Sequence, residues 1–378
     1  MTIKLIMKTA IVHDWFTTYA GSERCVESFT NIWKDADIFS LVDFLNEKDR
    51  KIILKGKHAK TTFVQNLPFA SRYHRHYFPI FSLAIEQLDL SGYDLIISSS
   101  HAFAKGALTN ANQLHICYCH TPIRYAWDLT NQYFDKRSII SRAQKLILQP
   151  VLHNIRIWDA ASSNRVDHFI ANSKFIARRI KKIYRRDAEV IYPPVDTAKF
   201  TPEAKKENYY LTASRFVPYK KIDLIAEAFS KIPDKKLLII GEGSDEEKIK
   251  SRCSRNIEML GYKEADELSN YMKKAAAFVF AAEEDFGISV IEALSCGTPV
   301  IALNRGGTAE TIVDGKYGIH FPEQTAVSIV QAVEKFEKSK NNFDSHILSD
   351  YAKQFDRKVF EERIEAFVKN KCSEFFNK

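Results

Sequence analysis

Short apolar stretches alternate with amphipathic stretches along most of the chain. KTAIVH (8–13) is followed by a loop and the helical pattern SERCVESFTNIW (22–33), and DHFIANS (167–173) is followed by the helical pattern SKFIARRIKKIYRR (173–186). YDLIISSS (93–100) and LHICYC (114–119) are further predicted buried strands. Apolar runs of this length are typical of strands covered on both faces by helices, as in a parallel sheet.

A second series of the same kind follows a proline-rich segment. VIYPPVDTAKFTPEAKKE (190–207) contains three prolines and a lysine cluster, and it reads as a linker. The strands predicted after it lie in YYLTASR (209–215), KKLLIIGEG (235–243) and IEMLGY (257–262). Two such series predict an α/β protein with two doubly wound, Rossmann-like domains.

The length of 378 residues also favours two domains over one. We predict an N-terminal domain at 1–192, a second domain at 193–355 and a terminal helical segment at 356–378. Within that segment, one helical face carries Phe360, Ile364, Phe367 and Val368.

Composition is that of an ordinary globular protein, with 45% hydrophobic and 27% charged residues. No apolar run approaches the roughly 20 residues that span a bilayer. The opening MTIKLIMKTAIV is too short and strand-like for a signal peptide. The six cysteines are scattered, which favours a reducing cytoplasm.

Charge is divided unevenly between the two halves. Residues 1–190 contain 27 Lys and Arg against 17 Asp and Glu, whereas the rest contains 28 against 30. The basic half predicts an anionic partner: a membrane surface, a nucleic acid or a phosphorylated acceptor. Residues 61–90 mix aromatic side chains with Arg72, His74, Arg75 and His76, which is typical of a membrane interface, although a core helix pair with a polar edge remains an alternative.

The segment EEDFGISVIEALSCGTPVI (283–301) has the strongest chemical signal. It predicts a loop at Glu284, a glycine turn at Gly287, a helix beginning at Ile288 and carrying Glu292, and a stop at Gly297. Backbone N–H groups at the start of a helix attract oxygen-rich ligands, and carboxylates accept hydrogen bonds from hydroxyls. A surface acidic loop before an amphipathic helix is the alternative.

This segment resembles the E-x7-E signature of the family 4 retaining glycosyltransferases, with Asp285 where that family usually has glycine. The segment CYCHTPIRYAWDL (117–129) resembles the bacterial O-antigen mannosyltransferase subgroup. SRFVPYKK (214–221) resembles the family's phosphate motif. The resemblance spans residues 8–370 and implies the GT-B fold, in which two domains face across a cleft and the last helix crosses back to the first domain.

The resemblance also implies a role for each candidate residue. His120 would lie beside the anomeric centre of the donor sugar, and Glu284 would hold the sugar hydroxyls. Arg215, Lys220, Gly287 and Ile288 would bind the donor diphosphate, while Glu292, Gly241, Leu260 and Gly261 would bind the nucleoside. Gly21, at a helix start, would either line the cleft or act as a cap alone. No metal site is expected, because Asp35-Ala36-Asp37 lies at a helix-to-strand corner and Cys117 and Cys119 lack a metal-binding spacing.

The implied reaction moves a hexose, with retention, from a nucleotide sugar to a hydroxyl of a lipid-linked or surface polysaccharide precursor. The resemblance indicates mannose from GDP-mannose as the donor, no cofactor, and a cytoplasmic location on the inner face of the membrane, with an anionic membrane surface as partner. An epimerase of the same fold would turn over its donor without an acceptor. A basic nucleic-acid-binding protein would bind duplex or single strands, but no recognition module accompanies the charge, so no nucleic acid is expected.

Overall fold

The computed structural model describes residues 7–128 and 142–377. Leu129, the end of the segment at 117–129, lies outside this part of the chain. The chain divides into two compact units, Met1–Pro193 with Phe360–Lys378, and Pro194–Val359.

The first unit is built on a parallel sheet of seven strands in the order β3-β2-β1-β4-β5-β6-β7. The strands are β1 (Thr9–His13), β2 (Asp37–Ser40), β3 (Lys60–Thr61), β4 (Leu95–Ser100), β5 (Leu114–Cys119), β6 (His168–Ala171) and β7 (Ala188–Val190). Every residue of β1, β4 and β5 is buried, including the three serines that end β4, and this burial explains the apolar residues of these strands.

Helices cover both faces of this sheet. They are α1 (Gly21–Ile32), α2 (Glu47–Ile53), α3 (Ala70–Tyr73), α4 (Phe81–Ile85), α5 (Arg142–Ser162) and α6 (Lys174–Tyr184). The hydroxyl of Ser173 accepts a hydrogen bond from the N–H of Ile176 and so caps α6. The predicted helix 173–186 is therefore confirmed, but it ends at Tyr184 because Arg185 adopts a left-handed conformation with φ 58°.

The second unit contains a parallel sheet of six strands in the order β10-β9-β8-β11-β12-β13. The strands are β8 (Tyr210–Ala213), β9 (Leu237–Ile240), β10 (Ile257–Gly261), β11 (Ala277–Phe280), β12 (Val300–Leu303) and β13 (Gly318–Phe321). Its helices are α7 (Ile222–Ser230), α8 (Glu246–Lys250), α9 (Ala265–Lys274), α10 (Ile288–Ser295), α11 (Thr308–Thr311), α12 (Ala326–Ser339) and α13 (Ser345–Ala352). The prediction of two parallel, doubly wound α/β domains is confirmed.

The final helix, α14 (Arg357–Phe376), belongs mainly to the first unit. Phe360, Ile364, Val368 and Cys372 recur every four residues and join the core that contains Ile11, Phe29 and Tyr118. Phe360 stacks on Phe29 with ring centroids 6.0 Å apart. The expected return of the last helix to the first domain is therefore present, with the crossover after Val359.

Strand order reverses once in each sheet, and this fixes where a ligand can bind. In the first sheet the reversal lies between β1 and β4, and in the second it lies between β8 and β11. The loops that follow two such strands run in opposite directions, and a crevice for ligands lies between them at the carboxyl ends of the strands. The residues that follow β8 and β11 in the chain include most of the predicted donor-binding positions.

Among residues 7–128 and 142–377, no helix combines the length and the apolar character needed to span a bilayer.

Candidate functional site

The loop after β11 leads directly into α10. Gly287 is the residue before the helix and adopts φ 89°, a left-handed conformation that glycine tolerates best. No side chain of the described residues caps this helix start, so the electropositive end of α10 is available to an oxygen-rich ligand beside Ile288. At the other end, Cys296 terminates the helix and Gly297 has φ 67°, as the sequence predicted.

Glu284 in this loop contacts Lys220 from the neighbouring crossover. Lys220 ends a short 3₁₀ helix, Pro218–Lys220, after β8, and its Nζ forms an ion pair with Oε1 of Glu284. The two side chains are 15% and 18% exposed, so most of the surface of each is shielded from solvent. Arg215, in the same segment, is exposed, and its Nη2 lies 3.5 Å from the hydroxyl of Tyr219. The structure thus brings the predicted diphosphate and sugar residues to one place.

The turn at Gly306 and Gly307 holds the Glu284 loop in position. A Cβ on Gly306 would lie 2.3 Å from the carbonyl oxygen of Glu284, and one on Gly307 would lie 2.4 Å from the Cα of Phe286. The N–H of Gly307 donates to the carbonyl of Glu284 at 2.8 Å. The sequence predicted no role for Gly306 or Gly307, although two adjacent glycines before a helix are typical of a close backbone approach.

Gly241 and Gly243 play the same part for the segment that carries Arg215. A Cβ on Gly241 would lie 1.9 Å from the carbonyl oxygen of Ser214, and one on Gly243 would lie 2.5 Å from that of Phe216. The backbone of Phe216 also donates to the carbonyl of Glu242 at 2.7 Å. Gly241 therefore shapes the crevice through packing against the β8 loop, which the predicted nucleoside role did not include.

The remaining predicted nucleoside residues are Leu260 and Gly261 at the end of β10 and Glu292 on α10. The carbonyl of Gly261 accepts a hydrogen bond from the N–H of Gly241 at 2.9 Å, so the ends of β10 and β9 are tied together. Gly261 is exposed with φ 69°, and a Cβ there would meet no atom within 4 Å. Leu260 is half-buried, whereas Glu292 on α10 is only 6% exposed. Their nucleoside contacts remain predictions.

Lys206 stabilises the C-terminal end of α10. Its ammonium donates to the carbonyl of Lys273 at 2.7 Å, the carbonyl of Cys296 at 3.2 Å and the hydroxyl of Thr298 at 3.0 Å. Lys206 thereby satisfies carbonyls at the ends of α9 and α10. Burial lowers the pKa of Lys206 to about 8. The linker was predicted to separate two domains, and this lysine within it also supports the helix of the site.

His120 lies in the first unit, immediately after β5. Its backbone N–H donates to the carbonyl of Ser100 at 2.8 Å, and its carbonyl accepts from the side-chain amide of Asn172 at 3.0 Å. The imidazole Nε2 lies 2.9 Å from the hydroxyl of Ser99. Burial lowers the pKa of His120 well below its ordinary value, so this histidine is neutral. Its predicted place at the carboxyl end of a central strand is confirmed, and its contact with a donor sugar remains a prediction.

Gly21 is the first residue of α1, as predicted. The carboxylate of Glu23 folds back over this helix start, where Oε2 accepts from the N–H of Ala20 at 3.2 Å and from the hydroxyl of Ser22 at 2.9 Å. This is the geometry of a cap. It supports the capping alternative, and a ligand-binding role for Gly21 stays a prediction.

Within residues 7–128 and 142–377, no group of three or more His, Cys, Asp or Glu side chains is placed to hold a metal ion. Asp37, from the rejected metal motif, accepts a hydrogen bond from the hydroxyl of Tyr93 and pairs with Lys60 at 3.2 Å. Cys117 and Cys119 lie buried in an apolar cluster with Phe169.

Two family models match the chain in adjoining segments. Residues 43–199 match the model described as Glycosyltransferase Family 4, and residues 196–355 match the model described as Glycosyl transferases group 1. The second match contains Arg215, Lys220 and Glu284, and the first contains His120. The chain belongs to the family 4 GT-B glycosyltransferases.

Curated relatives agree with this assignment. An uncharacterized glycosyltransferase of Methanocaldococcus jannaschii is 25% identical over 94% of both chains. A GDP-mannose-dependent monoacylated alpha-(1-6)-phosphatidylinositol monomannoside mannosyltransferase of Corynebacterium glutamicum is 30% identical over 39% of this chain and 47% of its own. A D-inositol 3-phosphate glycosyltransferase of Mycobacteroides abscessus is 27% identical over 42% of each chain.

Solved structures share the fold. Anabaena HepE in complex with UDP has a TM-score of 0.72 at 16% identity, covering 96% of this glycosyltransferase and 100% of that chain. Sucrose-phosphate synthase from Thermosynechococcus elongatus also has a TM-score of 0.72, at 15% identity, covering 97% of this chain and 100% of its own. At such identities the likeness concerns the fold, and it confirms the expected GT-B class.

Proposed function

We propose that this glycosyltransferase moves mannose from GDP-mannose, with retention at the anomeric carbon, to a hydroxyl of a lipid-linked or surface polysaccharide precursor. The observation that carries the proposal is the ion pair of Lys220 with Glu284 beside the start of α10. One site then offers a cation, a carboxylate and a helix N-terminus to a ligand that contains both phosphate and hydroxyl groups.

Each group has a part in the chemistry. Lys220 and Arg215 neutralise the diphosphate as negative charge develops on it, and the N–H groups at Gly287 and Ile288 act in the same direction. The carboxylate of Glu284 accepts hydrogen bonds from sugar hydroxyls. Since Lys220 contacts Glu284, the phosphate and the sugar occupy adjacent positions. This arrangement requires no metal ion to stabilise the leaving group.

Support for mannose comes from two sources. The segment 117–129 resembles the O-antigen mannosyltransferases, and the Corynebacterium relative is named as GDP-mannose-dependent. The solved structures of HepE instead contain UDP or UDP-glucose. A uridine nucleotide sugar is therefore the main alternative to GDP-mannose. Gly261 and Leu260 present backbone groups near the proposed position of the base, and backbone groups do not select one base strongly.

Thermal-shift measurements with a panel of nucleotide sugars test the donor. A ligand at a hundred times its dissociation constant stabilises the protein by about 2.7 kcal/mol, so the correct donor should raise the melting temperature measurably. GDP-mannose should shift it more than UDP-glucose, UDP-galactose or GDP-glucose. A shift with UDP-sugars and none with GDP-mannose would refute mannose and leave glycosyl transfer in place. Anomeric retention is checked by the NMR coupling constant of the product.

We place the enzyme at the inner face of the membrane, in contact with anionic lipid. Large apolar side chains are exposed in the segment predicted for this role: Phe69 is 78% exposed, Leu83 54% and Tyr73 42%. Arg72 and Arg75, also exposed, lie in the same segment. Rings and cations mixed in this way suit the headgroup region of a bilayer.

The helix α6 contributes less to this contact than the segment around Phe69. Arg179 is only 8% exposed and pairs with Asp128 at 2.6 Å, and Lys181 pairs with Asp187 at 2.7 Å. Exposed cations such as Lys174 and Arg178 remain on its surface. Membrane contact is therefore assigned mainly to the segment around Phe69.

Co-sedimentation with vesicles containing phosphatidylglycerol tests this contact. Binding at low salt should weaken as salt screens the charges, and the double change Phe69→Ser and Leu83→Ser should reduce it. The matched control is Val327→Ser on α12, which removes another exposed apolar side chain, 59% exposed, from the second unit. Absence of binding at low salt, or an equal loss with the control, would contradict the proposal.

A further inference from the structure

Three buried polar side chains form a hydrogen-bonded network across the centre of the first sheet. His13 ends β1, Ser99 lies opposite it on β4, and His120 follows β5. Nδ1 of His13 lies 3.0 Å from the carbonyl oxygen of Ser99 and 3.1 Å from its hydroxyl oxygen. The same hydroxyl lies 2.9 Å from Nε2 of His120. His13 and Ser99 are fully buried.

The partners of these atoms determine which of them donate. A carbonyl oxygen only accepts, so Nδ1 of His13 must carry the proton that it shares with Ser99. Among the described residues, the hydroxyl of Ser99 contacts only the two imidazoles. If it accepts from His13, its own proton points to His120, and Nε2 of His120 is the acceptor. The opposite arrangement would leave the buried hydroxyl proton without an acceptor, at a cost of about 1–3 kcal/mol.

We propose that His13 and Ser99 are positioning residues that hold His120 as the tautomer with its proton on Nδ1, so that His120 faces its ligand as a hydrogen-bond donor. The inference rests on the proposed function only for the identity of that ligand, a sugar oxygen of the donor. A neutral imidazole of this tautomer offers an N–H and no lone pair at Nδ1, so it orients an oxygen and does not remove a proton from it.

The surroundings of His120 keep its imidazole neutral. Burial, followed by the neighbouring imidazoles of His101 and His13, lowers the pKa of His120 well below its ordinary value. The ring of Tyr118 lies 5.1 Å from that of His120 on another side. Glu23 is 4% exposed, and its carboxylate lies 3.5 Å from Nε2 of His13, the ring nitrogen that does not contact Ser99. No described side chain hydrogen-bonds Nδ1 of His120, which leaves that nitrogen for a ligand.

Long-range ¹H–¹⁵N correlation spectra of the full-length protein labelled at histidine test the assignment. The tautomer is read from the shifts of the two ring nitrogens, and the signals of His120 are those lost in His120→Gln. We expect wild-type His120 to have a protonated Nδ1 and an unprotonated Nε2. A protonated Nε2 of His120 in the wild type would overturn the proposal.

Ser99→Ala supplies the second arm, with Ser98→Ala as its matched control. Ser98 is an equally buried serine whose hydroxyl lies 2.8 Å from Nε2 of His115 in the same two strands. Ser99→Ala should move His120 toward the Nε2-protonated form and reduce kcat about tenfold, whereas Ser98→Ala should change neither. An unchanged His120 spectrum in Ser99→Ala, or the same change in both variants, would refute the role of Ser99.

The spectra also separate this inference from the proposed function. If no nucleotide sugar is turned over but His120 shows the expected tautomer and its dependence on Ser99, the transfer reaction is wrong and the network stands. If transfer occurs and the tautomer is the other one, the network is wrong and the transfer reaction stands.

Discussion

Lys220 and Glu284 are paired across the point where the strand order of the second sheet reverses. Lys220 follows β8 and Glu284 follows β11, and these strands are neighbours in the sheet although three helices and two strands separate them in the chain. Because each side chain is less than one-fifth exposed, removing either one leaves the other as a half-buried charge. Substitutions that keep shape are therefore the most informative at this pair.

Glu284→Gln should leave the protein folded and remove most transfer activity. Glutamine keeps the size of the side chain but deletes the charge that pairs with Lys220 and accepts from sugar hydroxyls. Glu283→Gln changes the adjacent residue of the same loop in the same way and should keep near wild-type turnover. Steady-state rates with a fixed donor and acceptor, together with the melting temperature of each variant, check this. Wild-type turnover by Glu284→Gln would remove this carboxylate from the site.

Arg215→Ala and Lys220→Ala should each weaken stabilisation of the diphosphate. A hydrogen bond to a charged group contributes about 1.5–3 kcal/mol, which corresponds to a fall in kcat/KM of about 10- to 150-fold. Lys236→Ala is the control, because that lysine pairs with Glu258 on the surface, where both side chains are 54% exposed. A loss no larger than the control's, for both variants, would show that the diphosphate binds elsewhere.

Excess EDTA should leave transfer unchanged after dialysis. The proposed stabilisation of the leaving diphosphate uses Lys220, Arg215 and the start of α10, so no divalent cation is required for that step. Rates measured before and after chelation, and again with added Mg²⁺ or Mn²⁺, check the expectation. Complete loss that Mg²⁺ restores would mean that a metal shares the diphosphate.

The sequence predicted the fold well because its apolar pattern has a direct structural cause. Strands buried on both faces are rich in apolar residues, as in β5 and the first half of β4, and the resemblance then supplied the order of the motifs. The two-domain architecture, the helix at Ile288 and the crossing of α14 are all as expected. By contrast, the end of α6 at Tyr184 depended on a left-handed Arg185, which no local pattern shows.

Only part of the site was predicted. The residues that were missed act by contacting the predicted site residues. Glu284 and Lys220 were expected in one site, but their direct pairing depends on the side-chain positions of two separate crossovers. Gly306 acts only through the backbone of Glu284, and Ser99 acts through His120, so neither had a chemical signal of its own. The burial of Arg179 could not be predicted either, because its partner Asp128 lies far away in the sequence.

Stability should fall in mild acid because of His115. Burial lowers the pKa of His115 to about 4 from an ordinary value of 6.5. Between these values the unfolded chain binds a proton that the folded protein does not, so stability present above pH 6.5 is lost as the pH falls toward 4. The loss amounts to about 3 kcal/mol at 1.36 kcal/mol for each pKa unit.

Urea unfolding of wild type and His115→Gln at pH 7 and pH 5 measures this contribution. The difference in unfolding free energy between the two pH values should be smaller in the variant. It should not vanish, because burial also lowers the pKa of His101 and His120. The same pH dependence in both proteins would show that His115 is not the group responsible.

Gly306→Ala should damage catalysis far more than Gly315→Ala, although both glycines have left-handed backbones. Their φ values are +70° and +77°, so alanine costs about 1–2 kcal/mol at either position. The added Cβ would lie 2.3 Å from the carbonyl oxygen of Glu284 at Gly306 but would meet no atom within 4 Å at Gly315. The collision must displace the loop that carries Glu284.

Since a shift of 1 Å can cost about 100-fold in rate, we expect a fall in kcat/KM of at least tenfold in Gly306→Ala and little change in Gly315→Ala. Equal effects on kcat/KM would mean that backbone strain alone is responsible and that the contact between Gly306 and Glu284 does not position the carboxylate.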